Sequence, residues 1–158
     1  MDSPLAKEIK QRTFSNQAHR ARINLLITTG WLKGELKSFL DEFGITQPQF
    51  NILRILRGAK GEPLSTKELS ERMIDKMSDS SRLVDRLIAK DLAWKQPCPH
   101  DGRLVQVFLS DNGEQLLAQI DQMLFKLDAA FDGLSEEELT QLNLLLEKLR
   151  SFRQPRNK

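Results

Sequence analysis

The stretch Leu64-Ser65-Thr66-Lys67-Glu68-Leu69 constrains the fold more tightly than any other. Ser65 and Glu68 stand at capping-box spacing. At that spacing a serine hydroxyl accepts from the backbone of the third helical residue, and a glutamate there returns the bond. Leu64 and Leu69 are placed to close over the cap as an apolar staple. A helix therefore starts at a defined point. It can run only two to three turns, because Ile74-Asp75-Lys76 breaks the apolar spacing. A second helix follows from about Ser78 through Lys90, with Leu83, Leu87 and Ile88 on its buried side and Val84 nearby. Two short helices joined by a tight turn make a helix-turn-helix.

The flanking segments extend this unit. Leu92 to Gln96 reads as a strand, Pro97 to Gly102 as a loop, and Leu104 to Leu109 as the partner strand, giving a β-wing. Upstream, Phe14, Ala18, Ala21, Leu25, Thr28, Leu32, Leu36, Phe39 and Phe43 follow one another at helical steps. Gly30 and Gly34 inside that stripe either weaken it or mark a close contact, and Gly44 is a natural stop. Thr46 and Gln49 form a second capping box with Pro48 in the first turn. The short helix they open carries Phe50, Leu53, Ile55 and Leu56 and ends in the loop from Arg57 to Pro63. Downstream, Ser110 or Asp111 opens a helix with Leu116, Leu117, Ile120, Met123, Leu124, Leu127 and Phe131 on one side. Ser135 and Glu138 form a third capping box, followed by Leu139, Leu142, Leu145, Leu146, Leu149 and Phe152. The expected fold is mainly α with a small two- or three-stranded β-wing, a winged helix-turn-helix flanked by long helices. The expected segments are residues 1–45, 46–110 and 111–158, with no repeat and no long linker.

Composition limits the partners. The 158 residues are 39% hydrophobic and 29% charged, which suits a folded domain with a core. No run approaches the about 18 apolar residues that a membrane span needs. The first residues, MDSPLAKEIKQR, lack the apolar core of a secretion signal. Cys98 is the single cysteine, so no internal disulfide forms, and the expected location is cytoplasmic. The net charge of +2 is unevenly spread. Residues 46–110 carry 11 basic and 8 acidic side chains, whereas residues 111–158 carry 6 and 9. The middle third is the one to face a polyanion.

The stretch SSRLVDRLIAKDLAWKQPCPHDGRLVQVFLSDNGEQLL resembles the MarR family of bacterial transcription regulators. It is similar to that family in its recognition helix, in a wing with an Asp-x-Arg tip, and in the Ser-x-x-Gly opening of the next helix. Motifs cover roughly residues 46 to 117, and helix order extends the likeness over most of the chain. The resemblance implies a homodimer whose recognition helices and wings grip a pseudo-palindromic duplex. It implies that the first and last two helices form the dimer interface, and that a small molecule or oxidant releases a repressor by changing the spacing of the two reading heads. The family usually has glycine where Asp91 stands, so Asp91 must cap or tolerate that turn.

On that reading, Lys76, Ser78, Asp79, Ser81, Arg82, Arg86, His100 and Arg103 are the candidate DNA contacts. Arg82 is placed to fork onto a guanine edge in the major groove. Arg86, one turn on, either reaches phosphate or pairs near Asp85 and holds the helix. Lys76 in the turn and His100 in the wing suit phosphate. Asp79 is either a helix cap or an acceptor from a cytosine amine. Arg103 is long and cationic enough to enter a narrow minor groove from a hairpin tip, with Asp101 and Gly102 shaping the turn beneath it. Against this stands a solvated helix face with short serines, and an Asp-Gly hairpin with a surface arginine.

Other readings carry less. Cys98 as a redox switch has only Lys95 and His100 nearby to depress its pKa. Metal ligation lacks partners, since His19 is the only other histidine. No catalytic constellation or phosphate-cradling loop is visible, and no cofactor is expected. The leucine stripe at 139–152 is either core against the first long helix or a dimer seam, with Trp31 and Phe39 near it; interchain burial is favoured. Any small-molecule effector is expected near Phe14, Trp31 and Phe50. The expected partners are double-stranded DNA and a second copy of the chain, without a membrane. The competing function is a winged-helix module that docks protein rather than DNA.

Overall fold

The computed structural model describes residues 4–10, 13–101 and 104–152. The elements run α1 (Pro4–Glu8), α2 (Gln17–Asp41), α3 (Gln47–Gly58), β1 (Leu64–Ser65), α4 (Thr66–Arg72), α5 (Ser80–Ala89), β2 (Ala93–Pro97), β3 (Val105–Leu109), α6 (Asp111–Asp121), α7 (Phe125–Asp128), a 3-10 turn (Ala129–Phe131) and α8 (Glu136–Ser151). They form two compact units, Met1–Gln122 and Met123–Lys158.

In the first unit the helix starts are fixed by local chemistry. Thr46 and Gln49 close a reciprocal cap on α3, as Ser65 and Glu68 do on α4. Leu64 and Leu69, on either side of the second cap, are both buried. The Ser65 hydroxyl and backbone hold the Glu68 carboxylate below its usual pKa. The sheet is antiparallel in the order β1-β3-β2. Leu64 opposes Val107, and Val107 opposes Lys95. On the opposite face Trp94 and Phe108 pair across the strands, their rings stacked 4.0 Å apart. Leu40, Ile52, Leu53, Leu69, Val84, Leu87, Val107, Leu117 and Ile120 make the core around which α2 to α6 and the sheet are arranged.

Two close approaches hold the sheet between α5 and α6. After α5 the chain enters the left-handed region at Asp91, with φ 57°. There Leu92 N–H bonds the Leu87 carbonyl and Asp91 N–H the Ile88 carbonyl, both at 2.9 Å. This is the paired C-terminal closure that glycine usually serves. Asp91 meets the strain with its carboxylate, which accepts from Asn112 Nδ2 at 2.6 Å. Gly113, in the first turn of α6, lies where a Cβ would come within 2.2 Å of the Leu92 carbonyl oxygen. Only glycine lets the helix sit that close.

Several expectations need correction here. Leu83 and Ile88 are half-buried, and Val84 with Leu87 is the buried pair of α5. Phe39 is part of the core beside Phe43 rather than on an open seam. Among the described residues no neighbour lies within 4 Å of a Cβ at Gly30 or Gly34, so neither marks a close approach there. The helix from Ser110 does not continue to Phe131, because α6 ends at Asp121.

In the second unit, α7 and the 3-10 turn lead to α8, whose start is fixed by the reciprocal cap of Ser135 and Glu138. No residue of α7 or α8 is buried.

Candidate nucleic-acid interface

The helix-turn-helix is α4 and α5 with the turn between them. Asp79 is the N-cap of α5, its carboxylate accepting from Arg82 N–H at 3.1 Å. Of its two anticipated roles the structure shows the cap. Behind it, Ser80 Oγ bonds the Thr66 carbonyl at 3.0 Å and locks the start of α5 against α4. Val84 and Leu87 face the core, so Ser81, Arg82, Asp85 and Arg86 face outward. The Arg82 side chain is 82% exposed, with only a loose 3.9 Å approach to Asp79.

Asp85 is neutralised from the wing. Lys95 Nζ on β2 lies 2.7 Å from its carboxylate. This surface pair links the wing to α5 and sets a cation against the one outward acid in the middle of that helix. Arg86 therefore does not pair near Asp85; among the described residues it makes no hydrogen bond or ion pair. Sequence spacing gave no signal for the Asp85–Lys95 bridge, since register between strand and helix sets it.

The turn before α5 is built on two side chains. Asn51 Oδ1 on α3 accepts from Ile74 N–H at 2.8 Å. Asp75 accepts from Met77 N–H and from Ser78 Oγ, each at 3.0 Å. The bond from Met77 N–H, and after it that from Ser78 Oγ, holds the Asp75 carboxyl below its usual pKa. Ser78 is thus half-buried and occupied within the turn, and Lys76 bends its ammonium back onto the Glu71 carbonyl.

In the wing, Gln96 Nε2 bonds Gln106 Oε1 across the strands at 3.1 Å. At the tip, Leu104 N–H bonds the Asp101 carbonyl and Cys98 N–H the Leu104 carbonyl, each at 2.9 Å. His100 and Asp101 are exposed. Gly102 and Arg103 lie outside the described residues. Phe14 meets the His19 ring edge-on, Phe50 lies beneath the Arg54 guanidinium, and Trp31 is 51% exposed on α2. A cavity of about 440 Å³ opens elsewhere, between the end of α3 and the Trp94–Phe108 pair. Among the described residues no helix is long and apolar enough to cross a membrane.

Residues 43–104 match the MarR family. The HTH-type transcriptional repressor IacR of Pseudomonas putida is 30% identical over 113 residues, 71% of this chain, and the chain spans 66% of that repressor's length. Wild-type MarR from E. coli in its apo form superposes with a TM-score of 0.65 at 25% identity, over 79% of this chain and 92% of that one. A cysteine-to-serine variant of E. coli MarR complexed with operator DNA superposes with a TM-score of 0.74 at 24% identity, over 87% and 98%.

Proposed function

The chain belongs to the MarR family, and we propose that it is a homodimeric, sequence-specific regulator of transcription that binds duplex DNA in the cytoplasm and represses. The carrying observation is the outer face of α5. Ser81, Arg82 and Arg86 stand exposed there, Asp79 is spent on the cap, and Asp85 is spent on Lys95. A helix that presents arginines and has its carboxylates occupied suits a groove lined by phosphates and base edges. The relative named IacR is a repressor, and a solved MarR structure holds operator DNA; both support the reading. The relative named IacR is a transcriptional repressor, and on that likeness we read the chain as a binder and not an enzyme.

Selection of bound duplexes from a random pool tests this directly. The recovered sequences should show two related half-sites centred about 10 base pairs apart. Affinity should fall steeply with salt, because several phosphates are neutralised. Arg82→Ala should relax preference at one position per half-site by about 1–3 kcal/mol. Arg103→Ala should weaken binding severalfold with less change in preference. Duplex binding that ignores salt and both substitutions would remove this mechanism, and failure to recover any duplex would instead favour a protein-docking module.

A further inference from the structure

Met77 and Ile74 are exposed apolar side chains in a part of the surface that is otherwise polar. Met77 is 92% exposed and Ile74 78%. Both lie in the turn that delivers α5, and Met77 is two residues before the N-cap Asp79. Their backbones are pinned, Ile74 by Asn51 and Met77 by Asp75. The side chains are therefore held outward by a rigid frame and are not left exposed by a loose one. Lone exposed apolar residues need no explanation; a fixed pair at the mouth of a recognition helix is a different case.

We propose that Met77 is a specificity-determining residue that reads the C5 methyl group of thymine in the major groove. This rests on the DNA-binding reading above. The neighbouring candidate contacts, Ser81 and Arg82, offer hydrogen bonds, which distinguish guanine and adenine edges but leave the thymine methyl unread. A thioether is unbranched and polarisable, so it can settle against a methyl whose position varies slightly. The residues that follow it, from Asp79 onward, place it at the end of the helix that enters the groove.

The test uses the full-length protein and a duplex recovered from the random pool. Each thymine in turn is replaced by deoxyuridine, which keeps base pairing and removes only the methyl. At one symmetric position per half-site the wild-type protein should lose about fourfold in affinity for each methyl removed. Met77→Ala, which removes the contact in both half-sites, should bind the thymine duplex about 16-fold more weakly and should no longer distinguish thymine from uracil there. Met77→Leu should restore most of the preference. Since the side chain is exposed, circular dichroism of Met77→Ala should match wild type. Retained thymine preference in Met77→Ala, or wild-type indifference to every uracil, overturns the proposal while leaving DNA binding intact. Failure of the wild-type protein to bind any duplex overturns the regulator reading and this proposal with it.

Discussion

The two units obey the same local rules and reach different ends. In Met1–Gln122, each capped helix delivers leucines and isoleucines into a closed core, and many of these side chains lose all contact with solvent. In Met123–Lys158, α8 has a cap of the same reciprocal kind, Ser135 with Glu138. Yet Leu144, Leu145, Leu149 and Phe152 stand exposed, and nothing on α8 is buried. A cap decides where a helix begins; it does not decide what covers the apolar face. Isolated helices of this length are marginal in water, so a stripe of this kind needs a partner surface. We propose that, in the dimer, that surface is the second copy of the chain.

Breaking the contrast at α8 should have the largest effect. Leu145→Asp combined with Leu149→Asp places charge on the exposed stripe. Each leucine whose burial is lost is worth about 1.5–3 kcal/mol, and a twofold interface loses every such contact twice. Dimer affinity should fall by at least about ten-thousandfold on that account. Sedimentation should show a shift to monomer at micromolar concentration, and duplex binding should fall with it. A dimer of unchanged affinity would mean that the stripe of the second unit is no seam.

One substitution made in both units sharpens the contrast further. Gly113→Ala pushes a methyl against the backbone of Leu92 at 2.2 Å, where nothing flexible can yield. The cost should be on the order of 3 kcal/mol, read as a drop in the thermal midpoint. Gly133→Ala meets nothing within 4 Å and should stay within about 0.5 kcal/mol of wild type. Equal effects at the two sites would show that α6 can shift away from the sheet.

What was legible in the sequence follows the same division. The three capping boxes were readable because each is closed by residues three apart. The strained turn at Asp91, with φ 57°, was expected only from the family resemblance, in which glycine usually stands there. A third strand was allowed for but could not be placed, because β1 has two residues and one of them is already the cap of α4. The interruption after Asp121 was not readable, because residues 121–124 contain no glycine or proline. Gln122 and Leu124 keep right-handed helical dihedrals, while Lys126 and Leu127 bond carbonyls three residues back as in a 3-10 turn. At the site, Arg82 and the Asp79 cap could be read locally. The Lys95–Asp85 tie and the Asn51 brace under Ile74 could not, since they join residues 10 and 23 positions apart.

The smallest expected effect lies in the ion cluster that joins α3 to α6. Asp121 lies 2.7 Å from Arg57 and 2.6 Å from Arg54, and Arg57 also approaches Glu114 at 3.8 Å. The hydrogen bond from Arg57, and then the two guanidinium charges, hold the Asp121 carboxyl below its ordinary value near 3.8. A carboxylate with a depressed pKa in the folded state stabilises the fold fully above its unfolded pKa. That stabilisation is lost as pH falls through the depressed value. The cluster should therefore contribute at neutral pH and fade below about pH 4. The Asp121 side chain is 37% exposed, so solvent screens it, and the contribution at pH 7 should be about 1 kcal/mol or less. Asp121→Asn should lower the thermal midpoint slightly at pH 7, and the gap to wild type should close as the pH is taken toward 2. A gap between Asp121→Asn and wild type that persists undiminished in acid would mean that the aspartate acts through packing, and that the tie between α3 and α6 is not an ionic one.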